Sequence, residues 1–201
     1  MTESADTPED KALARHGPED LAPLRQKTIV LVGLMGVGKS SVGRRLATAL
    51  NLPFRDADNE VEAAAGRSIS EIFAELGEAA FRDGERRVIA RLLEEPPHVL
   101  ATGGGAFVNA ETRALINEKA LSVWLKADVE LLARRVSRKD TRPLLKGKDP
   151  VAVLTELARV RNPAYAEAQV HVQTGDTPHG VAVDAILTAL RQRLAPGAAS
   201  E

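Results

Sequence analysis

Between Thr28 and Leu194 the chain alternates short apolar runs with longer stretches in which apolar residues return every three or four positions. The first kind reads as strands and the second as amphipathic helices. Thr28 to Val32 is a continuous run ending in Gly33, as expected of a strand buried on both faces. Further strands are predicted at Phe54 to Ala57, His98 to Thr102, Leu121 to Leu125 and Val170 to Gln173. After the first strand, Val42, Leu46, Ala49 and Leu50 share a helical face that Asn51 and Pro53 bring to an end. The last helix carries Val183, Ile186, Leu187, Leu190 and Leu194 on one side. Strands alternating with helices stack as a parallel sheet covered on both faces. The expected fold is therefore α/β, a three-layer αβα sandwich around a five-stranded parallel sheet.

The pattern fades at both ends. Residues 1 to 26 mix Asp, Glu, Pro and Ala without a sustained apolar face, so they are expected to be a flexible leader contributing little burial, and residues 196 to 201 a tail of the same kind. Residues 27 to 195 contain no repeat and no low-complexity linker, which predicts one domain. With 27 Lys plus Arg against 28 Asp plus Glu, the formal net charge is -1, and no global basic field draws the chain to nucleic acid or an anionic membrane. The absence of Cys excludes disulfides, thiolate zinc sites and cysteine nucleophiles. The longest uncharged apolar stretch, Thr28 to Gly38, falls well short of the roughly 18 residues of a membrane helix. The acidic N-terminus lacks the basic start and apolar middle of an export signal. A cytoplasmic protein with no membrane or nucleic-acid partner is expected.

The sharpest chemical signal is Gly33-Leu34-Met35-Gly36-Val37-Gly38-Lys39-Ser40, which follows the best strand and opens a helix. Glycines let such a loop curl so that several backbone N–H groups converge on a nucleotide's β- and γ-phosphates. The helix start adds its positive dipole end, Lys39 reaches the phosphate oxygens, and Ser40 is the hydroxyl that phosphate-loop proteins use to hold Mg²⁺. The class of phosphate-loop protein is narrowed by the strand at His98 to Thr102. It ends in Gly103-Gly104-Gly105, with no carboxylate for magnesium, which disfavours a switch GTPase or motor ATPase. Three glycines at a strand's carboxyl end mark a close approach by another molecule, or else a plain flexible turn.

Carboxylates occur instead at Asp56 and Asp58. Two apart on a strand they face one side, where one orients magnesium waters and the other holds an acceptor hydroxyl; alternatively Asp58 caps the next helix. Arg82 lies in a helical pattern and Arg161 precedes Pro163, where a helix is expected to break. Together the two guanidiniums suit a small carboxylate, and singly each suits a surface ion pair. From Arg134 to Lys148 seven basic residues face one acid, Asp140. A basic flap at about residues 137 to 149, closing over a triphosphate, fits this run; a solvated face and nucleic-acid contact are the alternatives. The four His are scattered without metal-ligand spacing, and Trp124 sits in an apolar strand, so neither enters the candidate site.

Taken in series, GLMGVGKS, the Asp-Ala-Asp after the second strand, FRDGE, GGG, TRPLL and RNPAY resemble the shikimate kinase family from about Lys27 to Leu194. The resemblance implies a phosphate-loop, nucleoside-monophosphate-kinase-like fold and ATP-dependent phosphorylation of the 3-hydroxyl of shikimate, with Mg²⁺ as cofactor. It implies that Gly36, Val37, Gly38, Lys39, Ser40, Ser41, Arg135 and the lid residue Arg142 bind ATP, with adenine-side contacts near residues 174 to 178. Asp58, Arg82, Gly104, Gly105 and Arg161 would bind shikimate, Glu85 would support Arg82, and Asp56 would act on the metal through water. Lys39, Asp58 and Arg142 would be catalytic, in a monomer. Two other functions are consistent with parts of the sequence: a kinase for another small acid such as gluconate, and a nucleotide-gated binding module without turnover.

Overall fold

The central strand, β1 (Ile29–Val32), is buried at all four positions, which accounts for its unbroken apolar sequence. In the computed structural model, which describes residues 16–137 and 149–195, it pairs with β3 (Val99–Ala101) on one side and β4 (Leu121–Lys126) on the other. The edges are β2 (Phe54–Asp56) and β5 (Val170–Gln173), giving the order β2-β3-β1-β4-β5. Every pairing is parallel, with Ile29 opposite both Val99 and Leu121. The expected five-stranded parallel α/β sandwich is the fold found.

Helices α1 (Pro18–Leu21), α2 (Lys39–Leu50), α3 (Ala57–Ala65), α4 (Ile69–Leu92), α5 (Ala110–Lys119), α6 (Val129–Val136), α7 (Pro150–Tyr165) and α8 (His179–Leu194) connect and cover the sheet. Because all strands run the same way, the segments following β1, β2, β3 and β5 leave from one edge. Ligands in open parallel sheets sit at that carboxyl edge, where successive connections diverge to opposite sides. Here the divergence is at β1, between β3 and β4.

Local sequence fixes these boundaries. Asn51 in the left-handed region ends α2. Ser68 and Glu71 form a reciprocal capping box that starts α4, which is interrupted at Gly77. Asp149 caps α7 by accepting from Val151 and Ala152 N–H groups.

Three expectations need correction. β2 stops at Asp56, so Asp56 and Asp58 do not alternate along one strand, and Asp56 rather than Asp58 caps α3 by accepting from the Asp58 N–H. Pro163 does not break its helix, which runs two residues further to Tyr165. A proline so near the end forfeits only one of the last backbone hydrogen bonds. Finally, residues 16 to 26 of the expected leader do contribute burial. Leu21 and Leu24 join the main core, and His16 Nε2 lies 2.8 Å from Asp184 Oδ1 on α8. Arg191 Nη1 donates to His16 Nδ1 at 3.1 Å. Since arginine only donates, Nδ1 is the acceptor and the Nε2–H points at Asp184.

Candidate active site

The loop between β1 and α2 curls through Gly33, Gly36 and Gly38, at φ 135°, 84° and 95°. Its curl is fitted tightly to its surroundings. A Cβ at Gly33 would lie 2.5 Å from the Leu125 carbonyl oxygen, and one at Gly36 would lie 2.8 Å from Val136 Cγ1. Val37 buries its side chain in the core, so only its backbone is available to a ligand. Lys39 Nζ crosses the loop and donates to the Gly33 and Leu34 carbonyls at 2.8 and 3.0 Å, which holds the ammonium within the curl. Ser41 follows in the first turn of α2 and is exposed.

Ser40 Oγ donates to Asp56 Oδ2 at 2.6 Å, joining the loop to the end of β2. The other Asp56 oxygen accepts from the Asp58 N–H at 3.2 Å. A hydroxyl and a carboxylate at the rim of a phosphate loop are hard oxygen donors of the kind Mg²⁺ prefers alongside nucleotide phosphates and water. Among the described residues no cluster of three or more His, Cys, Asp or Glu could hold a metal by itself.

The three glycines after β3 form a seat for four charged side chains. A Cβ at Gly103 would lie 2.5 Å from Glu85 Oε1 and 2.9 Å from Asp58 Oδ1. One at Gly104 would lie 3.1 Å from Arg161 Nη1, and one at Gly105 only 2.5 to 2.7 Å from three atoms of the Arg82 guanidinium. A side chain at any of the three would therefore crowd a charged group of this seat. The same Gly104 position is 3.6 Å from the Gly33 carbonyl oxygen, to which Lys39 donates. Two contact paths therefore connect the phosphate loop to this seat: Ser40, Asp56 and Asp58 on one side, and Lys39, Gly33, Gly104 and Arg161 on the other.

Arg82 is gripped by Glu85 Oε2 at 2.8 Å and by Glu78 Oε1 at 3.1 Å, all within α4. Burial alone would lower its pKa, but the hydrogen bonds it donates to these carboxylates, with their charge, outweigh it and hold the guanidinium above its ordinary value. Glu85 is pushed up, chiefly by burial; Arg82 opposes this and the nearby Asp58 charge reinforces it. Its Oε1 is buried with no hydrogen-bond partner among the described residues.

Arg135, at the end of α6, donates from Nη2 to the Gly175 carbonyl at 2.7 Å and lies 3.9 Å from Asp176. It therefore borders the loop after β5, where the resemblance located adenine contacts. His179, set aside in the sequence, lies beside the phosphate loop, with Cε1 3.9 Å from the Cβ position of Gly38. Arg142 and most of the expected lid lie outside the described residues. Two further residues were given no role by sequence. Arg113 donates to the Phe107 and Val108 carbonyls at 3.1 and 3.0 Å and to Glu167 at 2.8 Å, bracing the turn that follows the glycines. Tyr165, fully buried, donates its hydroxyl to the Gly104 carbonyl. Its helical spacing from Arg161 was the available signal.

The arrangement joins a cation-lined phosphate cradle to a second site with a carboxylate and two guanidiniums, as transfer of a phosphoryl group to a hydroxylated acid requires. The family profile described as shikimate kinase matches residues 35–191. A shikimate kinase of Caulobacter vibrioides is 90% identical over 174 residues, 87% of this chain and 87% of that protein. One of Zymomonas mobilis is 57% identical over 164 residues, covering 82% and 93%. A solved shikimate kinase from Acinetobacter baumannii, in complex with shikimate, superimposes with TM-score 0.77 at 36% identity, over 86% of this chain and 95% of that one.

Proposed function

The chain belongs to the shikimate kinase family and is an ATP-dependent kinase that phosphorylates shikimate, and from that premise we propose how its own residues divide the work. Gly36, Val37, Gly38, Lys39, Ser40 and Ser41 bind the triphosphate, with loop N–H groups and the Lys39 ammonium on its β- and γ-oxygens. Arg82 and Arg161 hold the shikimate carboxylate, Gly104 and Gly105 let the ring come close, and Asp58 takes the 3-hydroxyl.

The observation that best supports this reading is the packing of Asp58, Glu85, Arg161 and Arg82 against three consecutive glycines, beside the carbonyl to which Lys39 donates. Asp58 orients the hydroxyl and accepts its proton while the new O–P bond forms and the β–γ bridging P–O bond breaks. A positioned base of this kind contributes about 10²- to 10⁴-fold in rate. Arg82 and Arg161 fix the acid end of the ring, so the hydroxyl meets the phosphorus in line, and Lys39 stabilises charge on the transferring group. Glu85 acts through Arg82, holding its guanidinium in place.

Ser40 and Asp56 would hold Mg²⁺, directly and through water respectively. When bound, that ion supplies charge neutralisation on the phosphate oxygens. Arg135 borders the adenine side. Because one chain supplies both halves of the site, a monomer is the proposed working unit, and the reaction's soluble substrates suit the cytoplasm.

The test is ADP release by the purified full chain with Mg·ATP and shikimate, gluconate or a nucleoside monophosphate as acceptor. Shikimate-dependent release, with shikimate 3-phosphate as product, is expected. Release with gluconate alone, or with none of the three, would overturn the reading.

A further inference from the structure

Tyr165 has no part in the mechanism above, yet it is a fully buried side chain whose polar atom touches the acceptor seat. Its hydroxyl donates to the Gly104 carbonyl, and the Arg161 guanidinium lies against the same glycine, with Nη1 3.1 Å from the Gly104 Cβ position. A carbonyl only accepts, so the hydroxyl proton is committed to Gly104. The ring is held from the opposite end of the side chain. It packs on Trp124 of β4 with centroids 5.8 Å apart, and Trp124 in turn meets the edge of His171 at 5.2 Å.

Two consequences follow from peptide geometry. Arg161 and Tyr165 are one helical turn apart on α7, so the hydroxyl sets how deeply that face engages the glycine loop. In a trans peptide the carbonyl and the next N–H point in opposite directions. With the Gly104 carbonyl turned to Tyr165, the Gly105 N–H points away from it. The carbonyl is thereby kept out of the anion's way, and the amide remains available to it. An unrestrained Gly104 carbonyl would be free to compete for the Arg161 guanidinium.

We propose that Tyr165 is a positioning residue for acceptor binding: its hydroxyl locks the Gly104 peptide, against which the Arg161 guanidinium lies, into the one arrangement that receives a carboxylate. This rests on the acceptor site described under Proposed function. Burial pushes the Tyr165 pKa up to about 12, with Arg161 opposing, so the hydroxyl retains its donating proton at working pH.

Tyr165→Phe keeps the ring and its Trp124 packing while removing the hydroxyl. Loss of a buried hydrogen bond to a polar partner is expected to raise the shikimate KM about tenfold, with kcat changed less than about threefold and the ATP KM unchanged. A merely structural role would lower the melting temperature or the active fraction without separating the two substrates. Normal shikimate KM in Tyr165→Phe, with Arg161→Ala raising it, would overturn the role of Tyr165 alone. Normal shikimate KM in both variants would overturn the acceptor-site reading as well.

The chain has one Tyr, which gives a second measurement on the unmutated sequence. Full chain labelled with 3-fluorotyrosine should show one ¹⁹F resonance that shifts as shikimate saturates. A resonance that ignores shikimate while the same sample turns over would overturn the proposal even if Tyr165→Phe failed to fold.

Discussion

Gly105→Ala separates acceptor binding from folding more cleanly than removal of a charged group does. The backbone there, φ −100° and ψ −19°, suits alanine, so no strain is introduced. The new methyl would lie 2.5 Å from Arg82 Nη1, 2.6 Å from Cζ and 2.7 Å from Nη2. Ordinary carbon contacts lie near 3.5 Å or beyond, so the guanidinium must retreat by about 1 Å. It is the far end of a long side chain and can do so cheaply, but the retreat stretches the 2.8 Å bond to Glu85 and misplaces the fork that grips a carboxylate. A charge-assisted hydrogen bond is worth about 1.5–3 kcal/mol, equivalent to about 10- to 150-fold in affinity. The assay is ADP release with shikimate varied at saturating ATP, then with ATP varied, alongside a thermal melt. The shikimate KM should rise at least about tenfold, while the ATP KM stays within about twofold and the melt shifts by no more than about 2 °C. Unchanged shikimate saturation, or equal loss towards both substrates, would refute the seat.

Gly36→Ala should behave oppositely, because its φ of 84° and a methyl 2.8 Å from Val136 Cγ1 strain the phosphate loop itself; a lowered melt and weakened ATP binding are expected in calorimetry. Gly84→Ala, within α4 and with nothing within 4 Å of its Cβ position, should stabilise by about 0.5–1 kcal/mol in urea unfolding, and a lower midpoint would count against it. The carboxyl of Glu85 holds its proton above its ordinary 4.5, so the folded chain binds more protons than the unfolded one as pH climbs from that value through the raised one. Its contribution to stability therefore falls across that window, and the loss is complete above it. Glu85→Gln should flatten this part of the stability-against-pH curve, and an unchanged slope would rule the explanation out. His16→Ala should cost about 1–2 kcal/mol and expose the segment before Ile29 to protease, leaving both KM values alone; unaltered digestion would contradict the clasp onto α8.

Most of the fold was legible because a central parallel strand must be apolar on both faces. Ile29–Val32 stood out accordingly, within one residue of its observed limits, whereas Val170–Gln173, an edge strand alternating buried and exposed positions, was legible as a short β-branched run. The phosphate loop was legible for a different reason, since only glycines make that curl and only Lys39 and Ser40 follow it. The seat was less so. Asp56 and Asp58 were grouped correctly but for the wrong reason, since a strand-to-helix corner brings them together and strand alternation does not. The glycine run announced close approach, but not that Glu85, Arg161 and Arg82 from two helices are the groups that approach. Such pairings span 18 to 57 residues of sequence and depend on helix placement, which local patterns do not encode. The burial of Leu21 and Leu24 was likewise hidden, because two isolated leucines among polar residues show no periodicity.

The central claim concerns Asp58, the proposed acceptor of the hydroxyl proton. Single-turnover transfer from ATP to shikimate, followed by quenched flow at saturating concentrations in the wild-type chain and in Asp58→Asn, tests it most directly. The variant should bind ATP normally and transfer at least about a hundredfold more slowly. Transfer at the wild-type rate would contradict the account.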